Sequence, residues 1–209
     1  MSVDDSTRIV LRPIANPLPL GFLALAGGTL VVAGLQLGWV EPAEGHDVAL
    51  ILIAFVFPLQ LVTSVFGYLG RDVVAGTGMG LLAGIWLAIA LVMLDAPPGS
   101  TSDALGLFLL IGAVAMAVPA SVASVAKLIP AAVMAGAALR FATTGLYELT
   151  ASKGWEDATG IVGLALCAIA VYAALALALE DVRGKTVLPL GRRDARRASM
   201  SPAGVREQL

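Results

Sequence analysis

The sequence predicts an all-α membrane protein of six transmembrane helices. Three observations carry that reading. Of the 209 residues, 58% are hydrophobic and only 13% charged, with a mean hydropathy of +0.90, where a soluble domain carries about 25% charged residues. Six apolar runs reach the roughly 20 residues that a span needs. None of them alternates with the period of a strand, and lipid admits only helices or closed barrels, because it offers no partner to free backbone groups.

The predicted spans cover about 18–40, 48–70, 73–95, 104–126, 128–148 and 159–179. They divide the chain into a cytoplasmic segment 1–15, a transmembrane domain 16–191 and a basic tail 192–209. Span one opens on "NPLPLGF", residues 16–22. With Asn16 as N-cap, Pro17 and Pro19 fall in the first turn, where a helix has N–H groups without intrahelical acceptors and proline has none to orphan. The Asn16 side chain can accept from the Leu18 N–H. Span two carries Pro58, Gln60, Thr63 and Ser64. A mid-span primary amide is costly without a partner, so Gln60 either bridges a neighbouring helix or faces a permeant. Span three holds Thr77 in the small-residue run "AGTGMG", which suits close helix packing. Spans four and five are parted only by Lys127 and its neighbours. Pro58, Pro119 and Pro130 each free a backbone carbonyl. Arg140 is the one cation well inside a span. Two readings are open for it: snorkelling or pairing with Glu148 two turns on, or attracting anions at the outer mouth.

Charge orients the spans. Arg8 and Arg12 precede span one, Arg71 follows span two, Lys127 follows span four, and Arg183, Lys185, Arg192, Arg193, Arg196, Arg197 and Arg206 follow span six. The alternate loops hold Glu41, Glu44, Asp47, Asp95, Asp103, Glu148, Glu156 and Asp157, with Lys153 their single cation. The positive-inside rule then places both termini in the cytoplasm. The polar, acidic start lacks a signal-peptide pattern. "STRIVLRPIA" suits a short interfacial stretch, and the basic tail suits contact with anionic lipid or, alternatively, with a partner protein.

The polar inventory within the spans is short: Gln36, Gln60, Thr63, Ser64, Thr77, Ser121, Ser124, Arg140, Thr143, Thr144 and Tyr172. No nucleophile stands beside a base and no carboxylate falls at mid-span, which argues against an enzyme and against a buried-carboxylate proton pump. His46 is the only histidine and Cys167 the only cysteine, so no metal or cofactor site is expected. Nothing suggests a nucleic-acid partner.

"NPLPLGFLAL" resembles the Asn-Pro-Ala-Pro-Leu-Gly-Leu signature of the acetate uptake transporter family, the succinate–acetate permeases of bacteria and their fungal relatives. "GKTVLPLG", residues 184–191, is similar to the Gly-Arg-Thr-Val-Leu-Pro-Ile-Gly ending of that family. Between them, Gln60, Thr77 and Trp86 match family residues, whereas the interior is otherwise divergent. The resemblance implies a six-helix protomer in a homohexamer with one pore per protomer, set in a bacterial plasma membrane. It implies uptake of a small carboxylate (acetate, in some members succinate), in many members together with protons. It places Asn16, Pro17, Pro19 and Gly21 at a helix start bordering the pore, and Gln60, Thr77 and Trp86 along the pathway, to which Arg140 is added by its charge, as a group that would gather acetate at the outer mouth. Leu25 and Leu82 stand where the family constriction has a phenylalanine and a tyrosine. The third constriction residue falls near Met134–Gly136, and Gly67 replaces a glutamate common in bacterial members. Loss of those aromatics keeps a second class open, a channel for urea, short amides or ammonia. A non-transporting scaffold that recruits partners through the basic tail is a third.

Overall fold

The computed structural model describes residues 14–125 and 127–191. Segment 1–13 and the tail 192–209, on which the interfacial and tail readings fall, lie outside the described residues.

Among the described residues, six helices are long and apolar enough to cross a membrane: α1 (Leu18–Gln36), α2 (Pro42–Leu69), α3 (Val73–Asp95), α4 (Asp103–Ser124), α5 (Leu128–Thr150) and α6 (Lys153–Arg183). No strand occurs among the described residues. Asn16 Oδ1 accepts from Leu18 N at 3.1 Å, as the opening motif requires, and the Pro17 carbonyl accepts from Leu20 and Gly21. The first helical residue is Leu18, one later than expected, so Pro17 takes the cap position itself.

Three spans differ from expectation in their bounds. α1 ends at Gln36 rather than near 40, and Gly38 follows with φ +72°, a conformation open to glycine without steric cost. α2 begins at Pro42, six residues before the apolar run, with a 3-10 turn over Pro42–Glu44. α6 extends well past 159–179 at both ends. Its terminal charges, Glu156 in the first turn and Arg183 in the last, complement the helix dipole rather than interrupt the helix.

α2 is continuous but irregular. Leu52–Val56 forms a π-turn, in which Phe57 N donates to Leu52 O, immediately before Pro58. Proline removes a donor and its ring crowds the carbonyl four residues back, and a π-turn relieves both.

The helices pair as α4 with α5, α1 with α6 and α2 with α3, while α5 also packs on α6 and α3 on α4. Missing side chains set the close approaches. A Cβ at Gly106 would lie 3.0 Å from Gly145 O, and one at Gly67 would lie 2.7 Å from Gly76 N. Gly67 is therefore a crossing point of α2 and α3, and the α3 backbone fills the room a longer residue would need. Ser64 Oγ donates to Gly76 O at 2.6 Å and closes the same seam.

Candidate permeation site

Depth within the bundle follows from contacts between α1 and its neighbours. A Cβ at Gly28 would touch Val56 and approach Leu52 of α2, whereas one at Gly21 would touch Thr63 of α2 and Met79 of α3. Gln60 lies one turn from Thr63 on the Gly28 side, and Leu82 lies about 4.5 Å above Met79 on the same side. Gln60, Leu25 and Leu82 thus share one level. All three are fully buried, in a core that includes Phe22, Met79, Met116 and Met134. Of the three α5 candidates at 134–136, Met134 turns toward α3, against Gly78, whereas Gly136 faces Leu166 of α6.

Gln60 is the anomaly at this level. Neither its Oε1 nor its Nε2 has a hydrogen-bond partner among the described residues, although a buried amide normally finds one. Neighbouring hydroxyls are occupied: Thr63 donates to Leu59 O at 2.8 Å. Thr77 does not join this group. It is half-buried at the α2–α3 seam, with its hydroxyl 2.9 Å from that of the exposed Tyr68.

Toward the end of the bundle where α1 finishes lies a cavity of about 130 Å³. Its deepest residue on α3 is Trp86, on α5 Arg140, on α1 Val32 and on α4 Leu109; Gln36, Tyr147, Glu148 and Glu156 also line it. Trp86 is buried, packed edge-on against Phe141 with ring centroids 6.2 Å apart, and its Nε1–H has no acceptor among the described residues. Trp86 and Leu82 are one turn apart on α3, so the cavity floor adjoins the Leu25–Leu82 level.

Arg140 neither snorkels nor pairs with Glu148, which corrects both local readings. It is 2% exposed; Nη1 donates to Thr159 O at 2.7 Å and Nη2 to Gln36 Oε1 at 3.1 Å. Glu148 instead accepts from Ser102 N at 2.8 Å. Thr144 Oγ1 donates to Arg140 O and meets Thr159 Oγ1 at 2.7 Å, so the guanidinium is set in a hydroxyl-lined junction of α5 and α6. A Cβ at Gly163 would collide with Arg140 Nη1, so this glycine leaves the guanidinium its room. Snorkelling fails because Arg140 faces α1 and α6, not the surface. The sequence reading did not single out Gln36 and Phe141 for the site. The signal for Gln36 was a second lone polar residue inside a span, at the correct end to meet Arg140.

No family model matches the chain, and no curated protein matches it in sequence. Among solved structures it is similar to the bacterial acetate channel SatP, with a TM-score of 0.75 and 21% identity over 85% of this chain and 99% of that one. The chain therefore shares the fold of a membrane channel, over nearly the whole of that channel's length.

Proposed function

We propose that this protein is a membrane channel or transporter for small monocarboxylates such as acetate. The observation that carries the reading is the unpartnered Gln60 amide, fully buried at the level of Leu25 and Leu82 and below a cavity floored by Trp86 and Arg140. A fold shared with an acetate channel supports it. The pathway runs from the cavity past Trp86, through the apolar level of Leu25 and Leu82 and past Met134 beside Gly78, to the helix start at Asn16, Pro17, Pro19 and Gly21. Thr77 lies beside this route and acts through packing. By the positive-inside pattern the cavity faces away from the cytoplasm and both termini face it. A homohexamer in a bacterial plasma membrane, with one pore in each protomer, belongs to the same proposal.

Magnitudes favour movement of the protonated acid, or of anion and proton together. Stripping an ionised carboxylate of water in an apolar ring costs at least several kcal/mol, and a neutral acid much less. Protonating a weak carboxylic acid at pH 7 costs about 3 kcal/mol. Among the described residues no cation stands at the Leu25–Leu82 level to hold the anion, whereas the Gln60 amide can both donate to and accept from a neutral carboxyl group.

Uptake of radiolabelled acetate into proteoliposomes under an inward proton gradient tests the reading, with propionate, succinate and urea as competitors. Gradient-stimulated uptake, blocked by short carboxylates and faster at pH 6 than at pH 8, is the expected result. Flux that does not change between those pH values at fixed total acetate contradicts passage of the protonated form. Leucines in place of aromatics, with an uncharged amide at their level, favour one alternative, a channel for small neutral solutes. Exclusion of acetate with equilibration of urea or ammonia would establish it.

A further inference from the structure

We infer that the start of α2 is a lid on the cavity: residues 39–51 swing on Gly38 and on the π-turn at Leu52–Val56, and His46 latches them to the α3–α4 loop. That the lid gates a permeant rests on the channel reading, whereas its hinges and latch stand on the geometry alone.

α2 is held differently on the two sides of its π-turn. Toward Leu69, Ser64 Oγ donates to Gly76 O at 2.6 Å, and a Cβ at Gly67 would lie 2.7 Å from Gly76 N, so that part of the helix is fixed to α3. Toward Pro42, only Gly45, Val48 and Ala49 of residues 42–51 are buried, while Leu50 and Ile51 are exposed. A segment with so small a buried footing opens at lower free energy than the packed helix beyond it. The π-turn, with Phe57 N donating to Leu52 O and Pro58 directly after, is the kind of irregular bond ladder at which helices bend. At the other end Gly38 has φ +72°, and a Cβ on it would meet nothing within 4 Å, so the chain can pivot there without collision.

The segment closes on the α3–α4 loop beside the cavity. Pro42 and Gly45 from the lid and Pro98 and Gly99 from the loop all line it. A Cβ at Gly45 would lie 3.9 Å from Pro98 Cβ, and one at Gly99 would lie 3.5 Å from Pro42 Cβ. Each contact thus sets a glycine against a proline, and such a rim parts without side chains having to repack. The polar tie across it is His46. Its Nε2 lies 3.4 Å from Ala96 O, and because a carbonyl can only accept, the ring donates. Among the described residues this is the one side-chain hydrogen bond that 39–51 make. It is long and exposed, hence weak, as a latch that releases must be.

The test locks the lid. In full-length protein carrying Cys167→Ser, which removes the lone native thiol, Gly45→Cys and Pro98→Cys place two Cβ atoms 3.9 Å apart, inside the disulfide range of about 3.5–4.5 Å. Oxidation in proteoliposomes should join them and lower acetate flux about ten-fold or more, and reduction should restore it. Either single-cysteine variant should be indifferent to oxidant. Full flux through the joined protein overturns the lid, as does a pair that cannot be oxidised. Hydrogen exchange reads the latch without any permeant. His46→Ala should speed exchange of amides 45–51 about 2- to 10-fold and leave 57–69 unchanged. His46→Gln keeps a donor and should stay close to wild type. Equal acceleration on both sides of the π-turn, or none, overturns hinge and latch. If the unlocked protein passes neither acetate nor urea, yet exchange divides at the π-turn, the channel reading falls and the lid stands. Acetate flux that ignores the disulfide does the reverse.

Discussion

Arg140 Nη2 donates to Gln36 Oε1 at 3.1 Å, joining α5 to α1 across 104 positions of sequence. The bond ties the first span to the last third of the chain and places an uncompensated charge against the cavity. It also lets stability and capture be separated. Gln36→Leu leaves a buried charged donor without its acceptor and should cost about 1–3 kcal/mol, read as a lower thermal midpoint in detergent. Gln36→Glu supplies a carboxylate at the same place and should keep the midpoint at or above wild type. Because it neutralises Arg140, it should raise the half-saturating acetate concentration ten-fold or more. If both variants lower the midpoint and neither changes acetate dependence, Arg140 serves the fold alone.

Gly163 tests how tightly the guanidinium is held. In Gly163→Ala the new methyl would strike Arg140 Nη1 and stand 3.1 Å from Ala33 Cβ. A free arginine would swing aside, but this one is bonded at both Nη atoms. The variant should therefore lose about 1–3 kcal/mol, and Arg140→Met in the same background should recover part of it. An unperturbed midpoint for Gly163→Ala would mean that the Arg140 pocket adapts easily.

Much of this architecture is legible from the residues, and the exceptions share a cause. Span three, expected over 73–95, occupies Val73–Asp95 because Asp72 caps its start, with Oδ1 accepting from Ala75 N at 2.9 Å. The Asn16 contact to Leu18 was likewise readable, being two residues long. α6 outran its expected bounds because a hydropathy reading stops at Glu156 and Glu180, while the helix carries them. The partner of Arg140 was hidden for a different reason. Sequence reasoning offers local partners, here Glu148, whereas the real acceptors come from α1 and α6. Gly67 was legible as a missing carboxylate but not as a crossing point, since no local pattern announces that Gly76 lies opposite.

Gln60 separates function from stability in the opposite direction to Gln36. Its amide is fully buried and unpaired among the described residues, so removing it should not harm the fold. Gln60→Leu should match or exceed wild-type stability, by up to about 1–3 kcal/mol. Acetate flux should fall about ten-fold, because a neutral carboxyl group crossing the Leu25–Leu82 level would lose its hydrogen-bonding partner. A stable variant with full flux would show that the permeant does not meet this amide.

The C-terminal motif yields the last prediction. After α6, Gly184 turns the chain with φ +61°, and residues 185–191 return across the start of α5. Thr186 Oγ1 donates to Glu180 Oε1 at 2.9 Å, and Tyr172 OH donates to Pro189 O at 2.9 Å. Leu128 N and Ile129 N donate to Gly191 O and Leu190 O, both at 3.2 Å, so backbone donors at the α5 start find acceptors in the returning segment. Leu190 is buried. Gly191 has φ +62°, and a Cβ there would lie 2.6 Å from Leu128 Cβ, so Gly191→Val meets both strain and collision. It should cost about 1–3 kcal/mol, and a stop after Lys185 should cost more. A stop after Gly191 removes only the basic tail and should retain both thermal midpoint and acetate flux. Loss of flux with an intact midpoint in that last variant would shift attention from the pore to the tail, as a scaffold or docking function requires.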